Sequence, residues 1–331
     1  MPIQVSSPST GDTPSNATAN VLIICPEPDA YTSRLVGEFP QVKFTSVASL
    51  ECTPALSRMG EADAILSYGR AFDAECLARA RKLKWFQCLI TGTDHLTPVL
   101  AGTKVILTNA RGIHGPQMAE MAVLHMLMLS RRVPELVRNQ AARIWERINP
   151  RVLDRRTIVI LGVGAIAEHT ARVAKALGMS TIGVSRTPRQ IEGFDAIYPR
   201  ERLLEAAARA DFLLALVPYT KENDKIIDAS VFAAMKPTAY LINLARGGVV
   251  DEAALIDALR AGRIAGAGLD VFAEAPLPPA HPFWSMDNVF ITPFIGGRSD
   301  QYEENIMSII KPNLRHFLAG HLDQMINRVE V

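Results

Sequence analysis

Cysteine is scarce, with four in 331 residues, at positions Cys25, Cys52, Cys76 and Cys88. None belongs to a CxxC pair and no histidine stands at metal-ligand spacing from one, so no metal site is expected. Cys25 and Cys88 lie in apolar runs as small core residues, and this usage suits a reducing cytoplasm. Excess charge is also missing. The 35 lysines and arginines nearly balance 34 aspartates and glutamates, leaving a net charge of +1. That provides no electrostatic footprint for nucleic acid or an acidic membrane surface. The basic cluster from Arg151 to Arg156 is short and reads as solvated surface. No apolar run reaches the ~20 residues of a bilayer span. Residues 1–19 lack the basic and apolar segments of a signal or transit peptide. Rich in Ser, Thr, Pro and Asn, they read as a disordered tail.

What is present is a chain with 48% hydrophobic residues, long enough for two domains with sizeable cores. From Asn20 onward, short runs rich in Val, Ile and Leu alternate with helix-length amphipathic stretches. The runs Val21–Cys25, Val42–Ser46, Ala64–Ser67, Trp85–Leu89 and Val105–Thr108 have the length of buried parallel strands. Pro116–Arg132 is apolar nearly all round and predicts a buried helix, with proline in its first turn and arginines in its last. A second series then starts with strand Thr157–Leu161, helix Ala165–Leu177 and strand Thr181–Ser185. It continues with strands at Phe212–Leu216, Ala239–Asn243, Ala265–Val271 and Val289–Thr292. A helix over Gln301–Ala319, with Pro312 inside it, closes the chain. Such alternation predicts an α/β protein with two doubly wound parallel sheets.

Gly162-Val163-Gly164-Ala165-Ile166-Ala167 follows a strand and opens a helix, in the pattern G-x-G-x-x-A. Gly162 allows the tight turn, Gly164 lets a pyrophosphate approach the backbone, and Ala167 is small enough for helix to pack on strand. Ala165 and Ile166 then lie at a helix N-terminus that faces phosphates. The bland alternative is a glycine turn with no ligand. An NAD-preferring site ends its second strand in an acid that takes the ribose 2′-hydroxyl. Here Ser185 stands there, followed by Arg186 and Arg189, which suit a 2′-phosphate. NADP is therefore expected over NAD, unless both arginines are merely solvated loop residues.

From Asn20 to the C-terminus the chain resembles the D-isomer-specific 2-hydroxyacid dehydrogenases. Met118-Ala119-Glu120 resembles the start of their interdomain helix. Asn243-Leu244-Ala245-Arg246-Gly247-Gly248-Val249-Val250-Asp251 resembles their N-x-x-RG-x-x-[VI]-[DN] motif. Gly268-Leu269-Asp270-Val271-Phe272 and Pro276-Leu277-Pro278 resemble a further stretch, and Thr91-Gly92-Thr93-Asp94-His95-Leu96 their carboxylate loop. The resemblance implies a flavodoxin-like substrate domain over 20–115 and 299–331, with a Rossmann cofactor domain over 116–298 inserted in it. It implies hydride transfer between a nicotinamide and a small 2-oxo or 2-hydroxy acid, in a homodimer. By the same resemblance, backbone N–H groups of Thr91 and Gly92 hold the carboxylate and Arg246 polarises the carbonyl. Asp270 binds the carboxamide, Leu244 and Ala245 line the ribose, and Val217 and Pro218 pack on the cofactor. Arg246 could instead be a surface ion pair.

Two positions depart from the family's pattern, and they are its proton-transfer pair. Where the family has a glutamate before Pro276, this chain has Ala275. Where it has a histidine after Thr292-Pro293, this chain has Phe294. Phe294 is thus expected beside the cofactor, making the site drier and narrower. Glu274 is one residue off, and adjacent side chains point in different directions, so it reads as surface. Among the histidines, His114 is the candidate for a displaced acid or base, since its loop joins the two domains; it could equally be a hinge residue bonded to backbone. His95, His125, His169 and His281 read as structural or packing residues, and His316 and His321 as near-surface. Tyr68 and Arg70 follow a strand end and are candidate substrate contacts.

The reading expected from the sequence is a cytoplasmic NAD(P)-dependent oxidoreductase with a non-standard proton donor. Two alternatives stay open. One is a dinucleotide-binding pseudoenzyme serving as redox sensor or scaffold; the other is redox-neutral chemistry on a carboxylate. The fold permits all three.

Overall fold

The computed structural model describes residues 19–331. The tail read from the sequence at 1–19 lies outside these, except for Ala19, which opens the first strand. The chain divides into two compact units. One comprises residues up to Arg111 together with Asp300–Val331; the other is Gly112–Ser299. The sequence reading placed these boundaries at 115/116 and 298/299.

The first unit holds β1 (Ala19–Cys25), β2 (Val42–Ala48), β3 (Ala64–Ser67), β4 (Trp85–Cys88) and β5 (Ile106–Thr108). Four of these are buried along nearly their whole length, as parallel strands covered on both faces are. β2, at the edge, is buried only at Val42. The strand order 2-1-3-4-5 is the flavodoxin-like one, with all pairs parallel. The core beneath it includes Leu22, Ile24, Ile65, Phe86 and Leu107. The C-terminal segment turns out to be two helices, Tyr302–Asn305 and Met307–Leu318, where one was expected. The chain breaks at Ile306, ahead of Pro312, which lies inside the second helix.

The second unit opens with the helix Gly115–Ser130, whose Met118, Ala122, Met126 and Leu129 enter the core. Its sheet contains β6 (Thr157–Leu161), β7 (Ser180–Ser185), β8 (Ala196–Pro199), β9 (Phe212–Ala215), β10 (Tyr240–Asn243), β11 (Gly266–Leu269) and β12 (Val289–Ile291). The order 8-7-6-9-10-11-12 is the doubly wound one, reversing direction at β6 and β9. Ligands bind such sheets at that reversal, beyond the carboxyl ends of the strands. A late, two-residue β13 (Arg328–Val329) adds an antiparallel edge to β5 in the first sheet. No helix of the described residues is long and apolar enough to cross a membrane.

Candidate functional site

The sheet reversal in the second unit falls on the G-x-G-x-x-A stretch. Gly162 turns with φ of 99°, and a Cβ there would stand 2.8 Å from the Val217 nitrogen, so only glycine fits. Gly164 is extended at the cap of the helix Ala165–Ala176, and, its chain neighbours apart, no atom of the described residues lies within 4 Å of where its Cβ would be. Ala167 is buried against the strand. The backbone is thus open to close approach at the N-terminus of a twelve-residue helix, where a pyrophosphate is stabilised by orphan N–H groups and the helix dipole.

A groove of roughly 350 Å³ continues from this turn, a volume in the range of small-molecule sites. Of the residues expected at the cofactor, it is lined by Gly162, Gly164, Ser185, Arg186, Val217 and Pro218. Ala165 is exposed and Ile166 half-buried at the adjoining helix start. Arg200, Thr187, Thr220 and Asn223 also line the groove and were not read from the sequence. Arg200 follows β8, whose Pro199 pairs with Ser185 of β7. Arg186 and Arg200 therefore emerge one residue past the ends of neighbouring strands. Arg186 lies 3.2 Å from the Glu222 carboxylate, and Arg189 pairs with Glu168 at 3.4 Å. These residues fit a dinucleotide: an open phosphate cradle, an apolar shelf at Val217 and Pro218, and guanidinium groups with no acid at Ser185.

Beyond β11 and β12 lies a second locus. Asp270 is buried, and its carboxylate accepts hydrogen bonds from Thr292 Oγ1 at 2.6 Å, Ile295 N–H at 3.0 Å and Gly296 N–H at 2.9 Å. The Asp270 carbonyl also accepts the Phe294 N–H at 3.0 Å. Phe294 itself is half exposed and sits at φ of 58°, the left-handed region that costs a bulky residue roughly 1–2 kcal/mol. His125, fully buried on the long helix, places Nε2 3.1 Å from the Thr292 hydroxyl. Burial pushes its pKa down to about 4, with the nearby Asp270 charge opposing. His114 is buried at the N-cap of the same helix, and its ring lies against Gly297 at the end of the 292–297 loop. His169 packs on Gly115.

Arg246 leaves β10 through Leu244 and Ala245, both buried. Its guanidinium donates to the Ala245 carbonyl at 2.8 Å, and the Arg246 carbonyl accepts from Asn243 Nδ2 at 3.1 Å. Gly247 follows because a Cβ there would collide with the backbone of Phe272 and Ala273. Ala273 N–H donates to Glu252 at 2.7 Å, and His281 Nε2 lies 3.9 Å from the same carboxylate. His281 also caps the turn Pro282–Ser285. Glu274 and Ala275 are both exposed.

In the first unit, the carboxyl ends of β3 and β4 carry Tyr68 and Arg70, and Thr91 and Gly92. Tyr68 is half-buried and Arg70 exposed; the Tyr68 carbonyl meets His95 Nε2 at 3.2 Å. Asn109 Nδ2 donates to the Thr91 carbonyl at 2.9 Å, which fixes the loop on β5. All four cysteines are buried, and burial pushes the Cys25 and Cys52 thiols up to about 12, leaving neither available as a thiolate.

Comparison with known proteins bears on the same residues. A family model described as "D-isomer specific 2-hydroxyacid dehydrogenase, NAD binding domain" matches residues 123–296. A glyoxylate/hydroxypyruvate reductase A from Yersinia enterocolitica is 35% identical over 254 residues, covering 74% of this chain and 80% of that protein. Among solved structures, a family protein from Aeromonas salmonicida superposes with a TM-score of 0.86 at 32% identity, over 94% of this chain and 98% of that one. An NADPH-dependent glyoxylate/hydroxypyruvate reductase from Sinorhizobium meliloti, solved with NADP and sulfate, gives 0.81 at 26% identity, over 94% and 98%. The matched segment contains the phosphate cradle, Arg246 and Asp270, and more than half the sequence. The chain belongs to the D-isomer specific 2-hydroxyacid dehydrogenase family, with an NAD-binding domain of the Rossmann type.

Proposed function

We propose that the protein is an NADP(H)-dependent reductase of a small 2-oxo acid, in which the group that supplies the proton differs from the family's usual one. The observation that carries this reading is the cofactor groove, whose phosphate cradle is open and which presents Arg186 and Arg200, with a serine, Ser185, where an NAD-preferring site has an acid. When bound, the dinucleotide supplies hydride. Arg246 polarises the carbonyl being reduced and clamps the substrate's acid group. Asp270 holds the 292–296 loop and has acceptor capacity left for a carboxamide. Leu244 and Ala245 line the cofactor ribose. On the family's pattern Thr91 and Gly92 donate backbone N–H groups to a carboxylate, and Tyr68 and Arg70, just past the carboxyl end of β3, are further substrate contacts.

Neither Ala275 nor Phe294 can move a proton, so water or His114 supplies it. The missing acid–base help costs about 10²–10⁴ in rate. Phe294, half exposed, favours a substrate with an apolar or aromatic group. The same two residues favour a second reading, a dinucleotide-binding protein that no longer turns over. NADPH oxidation with glyoxylate, hydroxypyruvate and phenylpyruvate separates the two. Turnover in wild type supports the reductase; tight cofactor binding with turnover only in Ala275→Glu/Phe294→His supports the retired enzyme. Loss of wild-type turnover in His114→Ala would assign the proton to that histidine.

The reading includes a cytoplasmic homodimer. The helix Val133–Ala142 buries none of its residues. Val137, Ile144 and Val152 are exposed, and Trp145 is 93% exposed. Exposed large apolar side chains over one stretch of chain suit burial by a two-fold partner.

A further inference from the structure

Glu222 touches both arginines of the cofactor groove. Its carboxylate lies 3.2 Å from Arg186, and its backbone carbonyl accepts a hydrogen bond from Arg200. The turn that carries it is fixed from within. Asn223 is buried, donating its side chain to the Pro218 carbonyl at 2.7 Å and its N–H to the Thr220 carbonyl at 2.9 Å. The carbonyl bond to Arg200 therefore belongs to the backbone and survives a change of side chain. The carboxylate does not share that constraint. It and the Arg186 guanidinium are largely exposed, so their pair is weak and can open.

We propose that Glu222 is a specificity-determining residue of the dinucleotide site, competing with a ribose 2′-phosphate for Arg186. This rests on the reading that the groove takes NADPH. A 2′-phosphate adds up to two negative charges beside Arg186. To use that guanidinium it must displace a carboxylate already paired with it, and it then feels that carboxylate as a like charge. An unphosphorylated ribose leaves the Arg186–Glu222 pair closed and meets no such opposition. Glu222 thus narrows the preference for NADPH that Arg186 and Arg200 create.

The test is fluorescence titration of the full-length protein with NADPH and with NADH, for wild type, Glu222→Gln, Arg186→Ala and the double variant. Glu222→Gln is expected to tighten NADPH about three- to tenfold at low ionic strength, as removal of one nearby exposed charge implies. The gain shrinks toward none at high salt. NADH affinity changes less than about twofold, and in the Arg186→Ala background the gain disappears. If Arg186→Ala weakens NADPH while Glu222→Gln leaves it unchanged or weaker, the competition is overturned and the NADPH reading stands. If Arg186→Ala leaves NADPH binding unchanged and the two cofactors bind alike, the NADPH reading fails and the competition with it.

Discussion

Thr292 donates its hydroxyl to the buried Asp270 carboxylate at 2.6 Å. With its one proton committed there, the hydroxyl can only accept from His125, whose Nε2 is 3.1 Å away. His125 is thereby assigned the Nε2–H tautomer, and its buried Nδ1 has no hydrogen-bond partner among the described residues. The residues between Thr292 and Gly296 hang from this chain of bonds, because Ile295 and Gly296 donate to the same carboxylate.

Asp270→Asn should destabilise the protein. Asparagine keeps one acceptor oxygen and turns an NH₂ toward a backbone N–H that now has nothing to donate to. A buried donor left unsatisfied costs about 1–3 kcal/mol. Urea unfolding should show this as a lower midpoint at unchanged slope.

The folded protein keeps His125 neutral down to about pH 4, whereas the unfolded chain takes up that proton near 6.5. Between these values the unfolded state binds more protons, so acid favours it. Stability from this residue is full above pH 6.5, is lost as pH falls toward 4, and changes no further below. The loss is on the order of 3 kcal/mol. His125→Gln retains a donor for Thr292 and removes the titration. Unfolding free energies at pH 7.5 and 4.5 should differ less for the variant than for wild type by about that amount.

Phe294 occupies a conformation that glycine and asparagine adopt at little cost. Its side chain is half exposed, so Phe294→Gly gives up little burial. That variant should be neutral or more stable by up to about 1 kcal/mol, while Phe294→Val should be less stable than wild type because a β-branched residue fits this region worst. Thermal denaturation of the pair gives the order.

The strands were legible in the sequence where burial on both faces writes a continuous apolar run. Ala64–Ser67 and Thr157–Leu161 fall at their expected ends. β8 was not legible, since all four of its residues are only half-buried at a sheet edge. The helix Val133–Ala142 was missed because it has no core-facing stripe. The phosphate cradle could be read because its chemistry is local to six residues. Arg200 could not, because its place depends on a strand register between Ser185 and Pro199. His125 was read as structural; its link to Thr292 spans 167 residues and leaves no local signal.

The exposed Trp145 and Val137 should be covered in a homodimer. Trp145→Glu with Val137→Glu is expected to shift sedimentation from dimer to monomer while leaving the circular dichroism of the wild type in place. A wild type that sediments as a monomer at micromolar concentration would rule out the homodimer.

Hydride should still pass to a 2-oxo acid in this chain despite Ala275 and Phe294. NADPH carrying deuterium at both C4 positions tests it directly, by mass spectrometry of the product from phenylpyruvate or hydroxypyruvate over hours. The product should be a 2-hydroxy acid bearing one deuterium at C2. Bound NADPH with no deuterium in any 2-hydroxy acid product would contradict it.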